Sequence, residues 1–268
     1  MVLVLIKGAG DLATGTAVRL HRAGFGVVMT DVERPTAVRR TVAFCQCIYD
    51  GAATVEGITA RRAANGAEAL ELLGRGEIPV VVDPQARIGK ELPFGAVVDA
   101  ILAKKNTGTA ITDAPVVLAL GPGFTAGVDC HGVVETMRGH DLGRLLTQGS
   151  ALPNTGVPGD IGGYTTQRII RAGADGIFEP VAQIGDRVEE GDLVARVGEQ
   201  GVYALMSGTV RGMLPAGLPV RKGMKSGDID PRCEVRHCFT VSDKARAVAG
   251  GVLEGLLYFG RGEHPWNA

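Results

Sequence analysis

Short apolar runs recur through the first half of the chain, and segments with helix-like spacing of apolar residues separate several of them. The runs occupy residues 2–6, 27–29, 80–82, 97–98 and 116–120. Near-continuous apolar runs are typical of strands buried on both faces of a parallel sheet. Alternating strands and helices are in turn typical of an α/β fold. We therefore predict a Rossmann-like parallel sheet, covered by helices, over residues 1–150.

The first apolar run leads into a glycine-rich turn and then into a segment with helical spacing. Such a turn lets backbone N–H groups and a helix N-terminus approach a phosphate. The third glycine is displaced, so the pattern is G-x-G-x-x-x-x-G rather than the dinucleotide fingerprint G-x-G-x-x-G. An acid ends the second run, at the position from which a carboxylate would bind a ribose hydroxyl. The predicted ligand-binding residues here are Gly8, Gly10, Asp11, Gly15 and Asp31.

Two further loops follow predicted strands, at the edge where ligands of such sheets bind. The loop after residue 101 carries ammonium, amide and hydroxyl groups, and the loop after residue 120 is rich in glycine. We expect both loops to line the same cofactor site, with an ordinary polar turn as the alternative for each. Their candidate residues are Lys104, Asn106, Thr109, Gly121, Gly123 and Thr125.

The second half of the chain contains an internal repeat of short strands and turns. Gly176, Gly185, Val188 and Gly191 recur as Gly208, Gly217, Val220 and Gly223. The pattern resembles the barrel-sandwich hybrid of biotinyl and lipoyl carrier domains, with glycines turning the hairpins. No lysine lies between Lys105 and Lys222, so the hairpin between the repeats has no residue to modify. A biotin or lipoate carrier is therefore excluded.

These patterns predict an α/β fold class, in which a Rossmann-like parallel sheet precedes a C-terminal barrel-sandwich-hybrid β module. The predicted Rossmann-like domain spans 1–150, and the β domain with its glycine-rich junction spans 151–240. A C-terminal helix is expected within 241–268 and packs back on the body. Ser242 is its expected N-cap, and Gly250 and Gly251 indicate another element packed against its backbone.

Composition narrows the classes of partner. The net charge is −1 with both signs interspersed, and aromatic residues make up 4% of the chain, which argues against nucleic acid and anionic membranes. No apolar stretch approaches about 18 residues, the length of a membrane span, and the N-terminus is typical of a buried strand rather than of a signal peptide.

The irregularly spaced cysteines predict a reducing, cytoplasmic location. Cys45, Cys47, Cys233 and Cys238 with His237 match no standard zinc pattern, so no metal site is predicted.

Few residues suggest catalysis. Cys130 and His131 are adjacent, but neighbours on a strand point to opposite faces, so buried packing is the alternative for Cys130. His140 lies with Arg138 in a charged, glycine-containing segment that would suit an anionic ligand, with a solvated turn as the alternative. Asp228 and Asp230 either accept hydrogen bonds from a ligand or shape a turn. We retain Cys130, His131 and His140 as weak catalytic candidates and leave open whether the protein is an enzyme.

Nine segments along nearly the whole chain resemble a single protein family. They include Gly-Ala-Gly-Asp-Leu-Ala-Thr-Gly at 8–15 and Gly-Asp-Ile-Asp-Pro-Arg at 227–232. The others lie at 39–44, 49–51, 55–60, 120–129, 135–140, 153–156 and 242–247. In combination they resemble the YqeB-type accessory proteins of the selenium-dependent molybdenum hydroxylase system, distant relatives of the xanthine dehydrogenase accessory proteins. Cys45 and Cys47 depart from the pattern expected of that family.

The resemblance implies a cytoplasmic maturation factor that helps insert or modify the molybdenum–pterin cofactor. Its implied partners are a molybdenum hydroxylase client and cofactor-assembly proteins, and self-association as a homo-oligomer stays open. The implied ligand contains a pyrophosphate, as a molybdopterin dinucleotide does. Two alternatives remain: an NAD(P)-dependent oxidoreductase with His140 as proton donor, and a non-catalytic scaffold that docks a partner molybdoenzyme.

Overall fold

The computed structural model describes residues 1–260, which form two compact units. Of the described residues, unit 1 comprises 1–35, 43–155 and 241–260. Unit 2 comprises residues 36–42 and 156–240. Segment 36–42, which the sequence pattern assigned to the first domain, thus groups with the second half of the chain. The end of the predicted C-terminal segment, 261–268, lies outside the described residues.

Unit 1 is built around one sheet of nine strands. The strands are β1 (Leu3–Lys7), β2 (Gly26–Asp31), β3 (Ala52–Val55), β4 (Ile58–Ala63), β5 (Ile78–Val82), β6 (Phe94–Asp99), β7 (Val116–Leu120), β8 (Gly132–Val134) and β9 (Leu145–Leu146). Their spatial order is β3-β4-β5-β2-β1-β6-β7-β8-β9. The helices are α1 (Asp11–Arg22), α2 (Cys47–Asp50), α3 (Gly66–Gly74) and α4 (Asp243–Phe259).

The sheet is mixed, and the prediction of a Rossmann-like parallel sheet is wrong. The inner seven strands pair in parallel, whereas the edge strands β3 and β9 run antiparallel to β4 and β8. A 3-10 turn or a loop, rather than a helix, connects β5 to β6 and β6 to β7. An apolar run shows that a strand is buried but does not encode its direction. Turns decide the direction: positive φ values at Glu56 and Gly57 close the β3–β4 hairpin.

Helix α4 begins as the sequence predicts and packs within unit 1 through small residues. The Ser242 hydroxyl accepts a hydrogen bond of 3.1 Å from Ala245 N, which confirms the predicted N-cap. A Cβ atom added at Gly15 of α1 would lie 2.7 Å from Ala245 Cβ. The absence of a side chain at Gly15 therefore allows α1 and α4 to approach closely.

Unit 2 contains eight short strands in two antiparallel sheets. The strands are β10 (Ile169–Arg171), β11 (Gly176–Pro180), β12 (Arg187–Val188), β13 (Leu193–Val197), β14 (Gln200–Tyr203), β15 (Gly208–Met213), β16 (Leu218–Val220) and β17 (Lys225–Asp230). One sheet has the order β10-β17-β15-β12 and the other β14-β13-β11-β16. Apolar side chains, among them Phe178, Val210 and Ile229, form the core of the unit.

The predicted barrel-sandwich-hybrid module also needs correction, because the unit is not made from the repeat alone. β10 precedes the repeat and pairs with β17. Segment 36–42 joins it as well, since Met213 N donates a hydrogen bond of 2.7 Å to Val38 O. The repeated glycines determine where turns occur, but they do not specify which strands pair.

A helix that crosses a membrane must be both long and apolar. No helix within residues 1–260 meets both requirements.

Candidate functional site

Loops that follow the parallel strands of unit 1 converge at one edge of the nine-stranded sheet. β1, β2, β6, β7 and β8 are parallel, so the loops after their last residues lie at the same edge. Ligands of open α/β sheets bind outside the carboxyl ends of such strands. This carboxyl edge is the candidate functional site.

The first glycine loop has one glycine that packs and one that faces open space. Gly8 has a φ of +93°, and a Cβ there would lie 2.9 Å from Ala100 O, so this residue lets the loop pack on the segment after β6. Gly10 is the N-cap of α1, and among residues 1–260, apart from its neighbours in the chain, no atom lies within 4 Å of a Cβ added there. The N-terminal end of α1 is therefore open on the Gly10 side.

Asp31 holds the first loop in place. Its carboxylate accepts hydrogen bonds of 2.8 Å from Ala9 N and from Val32 N. Burial raises the pKa of Asp31, although the two backbone hydrogen bonds oppose the rise. Asp11 acts similarly on α1, because its carboxylate accepts from Leu12 N at 3.0 Å. A carboxylate offers about four acceptor positions, so Asp31 retains acceptor capacity for a ligand hydroxyl.

A chain of polar side chains links β1 with β6 at this edge. Lys7 Nζ donates to Thr109 Oγ1 at 2.8 Å, and Thr109 Oγ1 donates to Asp99 Oδ2 at 2.6 Å. Lys7 also lies 3.4 Å from an oxygen of Asp113. Sequence reasoning proposed Thr109 but missed Lys7, Asp99 and Asp113. The available signal for Lys7 and Asp99 was a charged residue at the end of a buried strand, beside a candidate loop.

The loops after β6 and β7 contact each other. Asn106 shapes the first loop, since its Oδ1 accepts from Thr109 N at 2.8 Å and its Nδ2 donates to Thr109 O at 2.8 Å. Lys104 is exposed on the same loop. A Cβ added at Gly123, whose φ is +108°, would lie 2.6 Å from Lys105 N. The structure thus brings the candidates of the two loops together.

Two other candidates of the second loop are used for local packing. Gly121 has a φ of +73°, and a Cβ there would lie 2.5 Å from Thr136 Oγ1. Thr125 N donates to Asp129 Oδ2 at 2.7 Å, and the Thr125 hydroxyl lies 3.1 Å from that of Ser150. Both residues lie at the carboxyl edge, where they help to fix the loop that follows β7.

Other sequence candidates lie apart from the opening at Gly10 or are already engaged. Gly15 is buried in α1 against α4. Cys130 is 0% exposed, and burial raises its pKa to about 12. His131 Nδ1 accepts a hydrogen bond of 3.0 Å from Val117 N, and its ring lies 5.8 Å from that of Phe259. His140 is exposed in the turn after β8. This placement favours packing for Cys130 and gives no catalytic grouping of the three.

The residues weighed for zinc divide between the two units. Cys45 and Cys47 belong to unit 1, whereas Cys233, Cys238 and His237 belong to unit 2. Within residues 1–260, no group of three or more His, Cys, Asp or Glu side chains is arranged to hold a metal ion.

Comparison with known proteins gives one close relative. No protein-family model matches the chain. The uncharacterized protein YqeB of Escherichia coli (strain K12) is 56% identical over 255 residues, which is 95% of this chain and 47% of YqeB. The chain therefore spans about half the length of this curated relative.

Solved structures give much weaker likenesses. An aspartoacylase family protein from Mesorhizobium loti is 13% identical, with a TM-score of 0.28 and coverage of 85% of this chain and 84% of that one. A succinylglutamate desuccinylase/aspartoacylase from Rhodobacter sphaeroides is 15% identical, with a TM-score of 0.27 and the same coverage. Such scores do not establish a shared fold. The similarity to YqeB, in contrast, confirms at the level of sequence the predicted resemblance of this chain to YqeB-type proteins.

Proposed function

We propose that this protein is an accessory protein in the maturation of a selenium-dependent molybdenum hydroxylase. We further propose that it binds a pyrophosphate-containing ligand, such as a molybdopterin dinucleotide, at the carboxyl edge of unit 1. The motif resemblance to YqeB-type accessory proteins supports the first part. The similarity to the uncharacterized YqeB over 95% of the chain supports only that YqeB-type resemblance. The observation that carries the second part is the open space beside Gly10 at the N-terminus of α1.

The residues at this edge divide the work of binding. Backbone N–H groups at the start of α1 would face the phosphates, because a helix N-terminus carries partial positive charge. Asp31 would accept a hydrogen bond from a ribose hydroxyl. Asp11 adds a negative charge in the first turn. We therefore assign the balancing positive charge to Lys104 and Lys105, which are exposed on the loop after β6.

The oxidoreductase alternative has less support. Its proton donor would be His140, which is exposed in the turn after β8. A hydride-transfer site excludes water around the reacting atoms. We therefore keep the accessory role as the proposed function.

A matched pair of glycine variants tests the ligand. Gly10→Val fills the open space at the start of α1, whereas Gly74→Val fills an equally open position at the end of α3. Each protein is purified from its own host and analysed by native mass spectrometry with molybdenum quantified. We expect a pterin species with the wild type and Gly74→Val, and occupancy at least about tenfold lower for Gly10→Val. Equal occupancy in Gly10→Val, or an empty wild-type protein, would contradict the proposed ligand.

The maturation role is tested in cells. A host that lacks this protein should produce a molybdenum hydroxylase with reduced activity and an incomplete cofactor. The wild type and Gly74→Val should restore activity, whereas Gly10→Val should not. Full hydroxylase activity without the protein would rule out the role.

A further inference from the structure

Unit 2 holds a cluster of buried charges that the proposed function does not use. The side chains of Arg168, Arg211 and Asp228 are each 6% exposed, and that of Asp230 is 2% exposed. Charged groups are seldom buried unless they are paired and hydrogen-bonded, because transfer from water is costly. The partners of each group therefore show whether the cluster is complete.

The cluster lies on one face of the β10-β17-β15-β12 sheet of unit 2. Strand geometry shows that this face is turned away from the apolar core. Val210 of β15 and Ile229 of β17 belong to the core. Side chains alternate between the faces of a strand, so the neighbours Thr209, Arg211 and Asp228 point to the opposite face. The structure brings Arg168 to the same place, since its Nη1 donates to Asp228 Oδ1 at 3.0 Å.

The carboxylates of the cluster do not provide a hydrogen-bond acceptor for every arginine donor. Arg232 donates from Nε and Nη2 to the two oxygens of Asp230, at 2.9 and 2.7 Å. Arg211 approaches the same carboxylate only to 3.6 Å, which is longer than a hydrogen bond. Burial lowers the pKa of Arg211, and the nearby charge of Arg39 lowers it further, while Asp228 and Asp230 oppose the change. Arg211 is thus a buried cation that is ion-paired with Asp230 without a hydrogen bond of ordinary length to it.

Three buried donors in this cluster lack an acceptor. Among the described residues, no hydrogen-bond partner is present for Arg168 Nε, Arg211 Nε or Thr209 Oγ1. The remaining donors of Arg168 reach Asp228 and Gly159 O, the latter at 3.2 Å. Leaving a buried donor unpaired is costly, and more so for a charged group. These donors are therefore open to an acceptor, and an anion would supply one.

We propose that unit 2 binds a tetrahedral oxyanion, a phosphate or phosphate monoester, between Arg168 and Arg211. Its oxygens accept hydrogen bonds from the two Nε–H groups and from Thr209. Such an anion presents oxygens in several directions, whereas a carboxylate presents two in one plane. Guanidinium groups suit phosphate oxygens because their donors form a rigid fork. All the residues of this site belong to unit 2.

Titration of the full chain with inorganic phosphate at constant ionic strength tests the proposal. Calorimetry and 31P NMR measure the binding. Sulfate and glycerol 3-phosphate are compared with acetate and chloride. We expect phosphate and sulfate to bind at least about tenfold more tightly than acetate or chloride. Glycerol 3-phosphate distinguishes the source, since tighter binding than phosphate identifies a monoester ligand and weaker binding a free oxyanion. Equal affinity for acetate, or no phosphate binding by the wild type, would overturn the proposal.

Conservative variants locate the site. Arg168→Lys and Arg211→Lys keep the positive charge but remove Nε–H, and Arg196→Lys makes the same change at an exposed position of β13. We expect phosphate affinity to fall at least about tenfold in the first two and to stay unchanged in Arg196→Lys. Circular dichroism confirms folding, and the wild-type comparison of anions stands even if a variant does not fold. Loss of phosphate binding in Gly10→Val, with affinity retained in Arg211→Lys, would place the anion in unit 1 and refute this site.

Discussion

At the scale of single residues, burial decides which polar groups are available for chemistry. Burial raises the pKa values of Cys47 and Cys130 to about 12 and that of Cys45 well above its ordinary value. The thiolate is the nucleophile, so a thiol with such a pKa is unreactive near neutral pH. The acids at the strand ends are also engaged, since Asp31 and Asp99 each accept hydrogen bonds from the loop beside them.

The buried cysteines should therefore resist thiol reagents between pH 7 and pH 9. We expect a disulfide reagent to modify Cys233, which is partly exposed, and to leave Cys45, Cys47 and Cys130 unmodified in the folded protein. Raising the pH within this range should not change that result for Cys47 and Cys130, because both remain protonated. Mass spectrometry of labelled peptides measures the pattern, with urea-unfolded protein as the fully reactive control. Modification of native Cys130 at the rate of an unfolded cysteine would contradict the burial described above.

At the scale of elements, two adjacent glycines of α4 have opposite surroundings. Within the described residues, a Cβ added at Gly250 meets no atom within 4 Å apart from the backbone of its own helix. A Cβ added at Gly251 would overlap Gly143 O and lie 2.8 Å from a methyl group of Val134. The sequence predicted close packing at this pair, and the structure assigns it to Gly251 alone.

Alanine substitutions at these two positions should change stability in opposite directions. Gly250→Ala should raise the free energy of unfolding by about 0.5–1 kcal/mol, because alanine favours the helix. Gly251→Ala should lower it by roughly 1–3 kcal/mol, because the methyl group displaces the backbone of the loop that contains Gly143. Urea unfolding measures both, and each variant serves as the control for the other. Equal stabilisation by both substitutions would show that the loop yields freely.

At the scale of the whole molecule, two separate stretches of the chain form unit 2. Segment 36–42 precedes most of unit 1 in sequence but forms hydrogen bonds with residues that follow residue 200. Arg40 Nε donates to Met213 O at 3.0 Å, and Thr41 Oγ1 donates to Cys238 O at 2.6 Å. Unit 2 is therefore complete only when this early segment is present.

A fragment of residues 156–240 should be less stable than the same fragment with residues 36–42 joined by a flexible linker. Without residues 36–42, the hydrogen bonds to Met213 and Cys238 are lost. The strand edge that this segment covers is then exposed. We expect the linked fragment to have a Tm higher by at least about 4 °C, which corresponds to roughly 1 kcal/mol in a domain of this size. Linking the same seven residues in reversed order is the control. Equal Tm values for all three fragments would mean that the segment adds nothing to the unit.

Local signals predicted much of the secondary structure and part of the candidate site. Apolar runs identified the buried strands β1, β2 and β7, because burial on both faces requires apolar side chains at successive positions. Ser242 identified the start of α4, since an N-cap depends on one side chain and its nearest amides. The loop at residues 8–10 was recognised for the same reason, as a glycine turn between a strand and a helix.

Tertiary structure decided what those local signals leave open. Strand direction at the sheet edges depends on hairpins such as the one at Glu56 and Gly57, so the apolar pattern wrongly suggested a parallel sheet. Which glycine is open depends on atoms far along the chain: Ala100 fills the space beside Gly8, whereas the space beside Gly10 stays free. Likewise, which donors of the buried arginines in unit 2 have an acceptor depends on where the fold places the carboxylates. The sequence by itself determined where strands, turns and caps form, because these depend on neighbouring residues. The fold determined which groups remain available to a ligand, because that depends on contacts between residues distant in sequence.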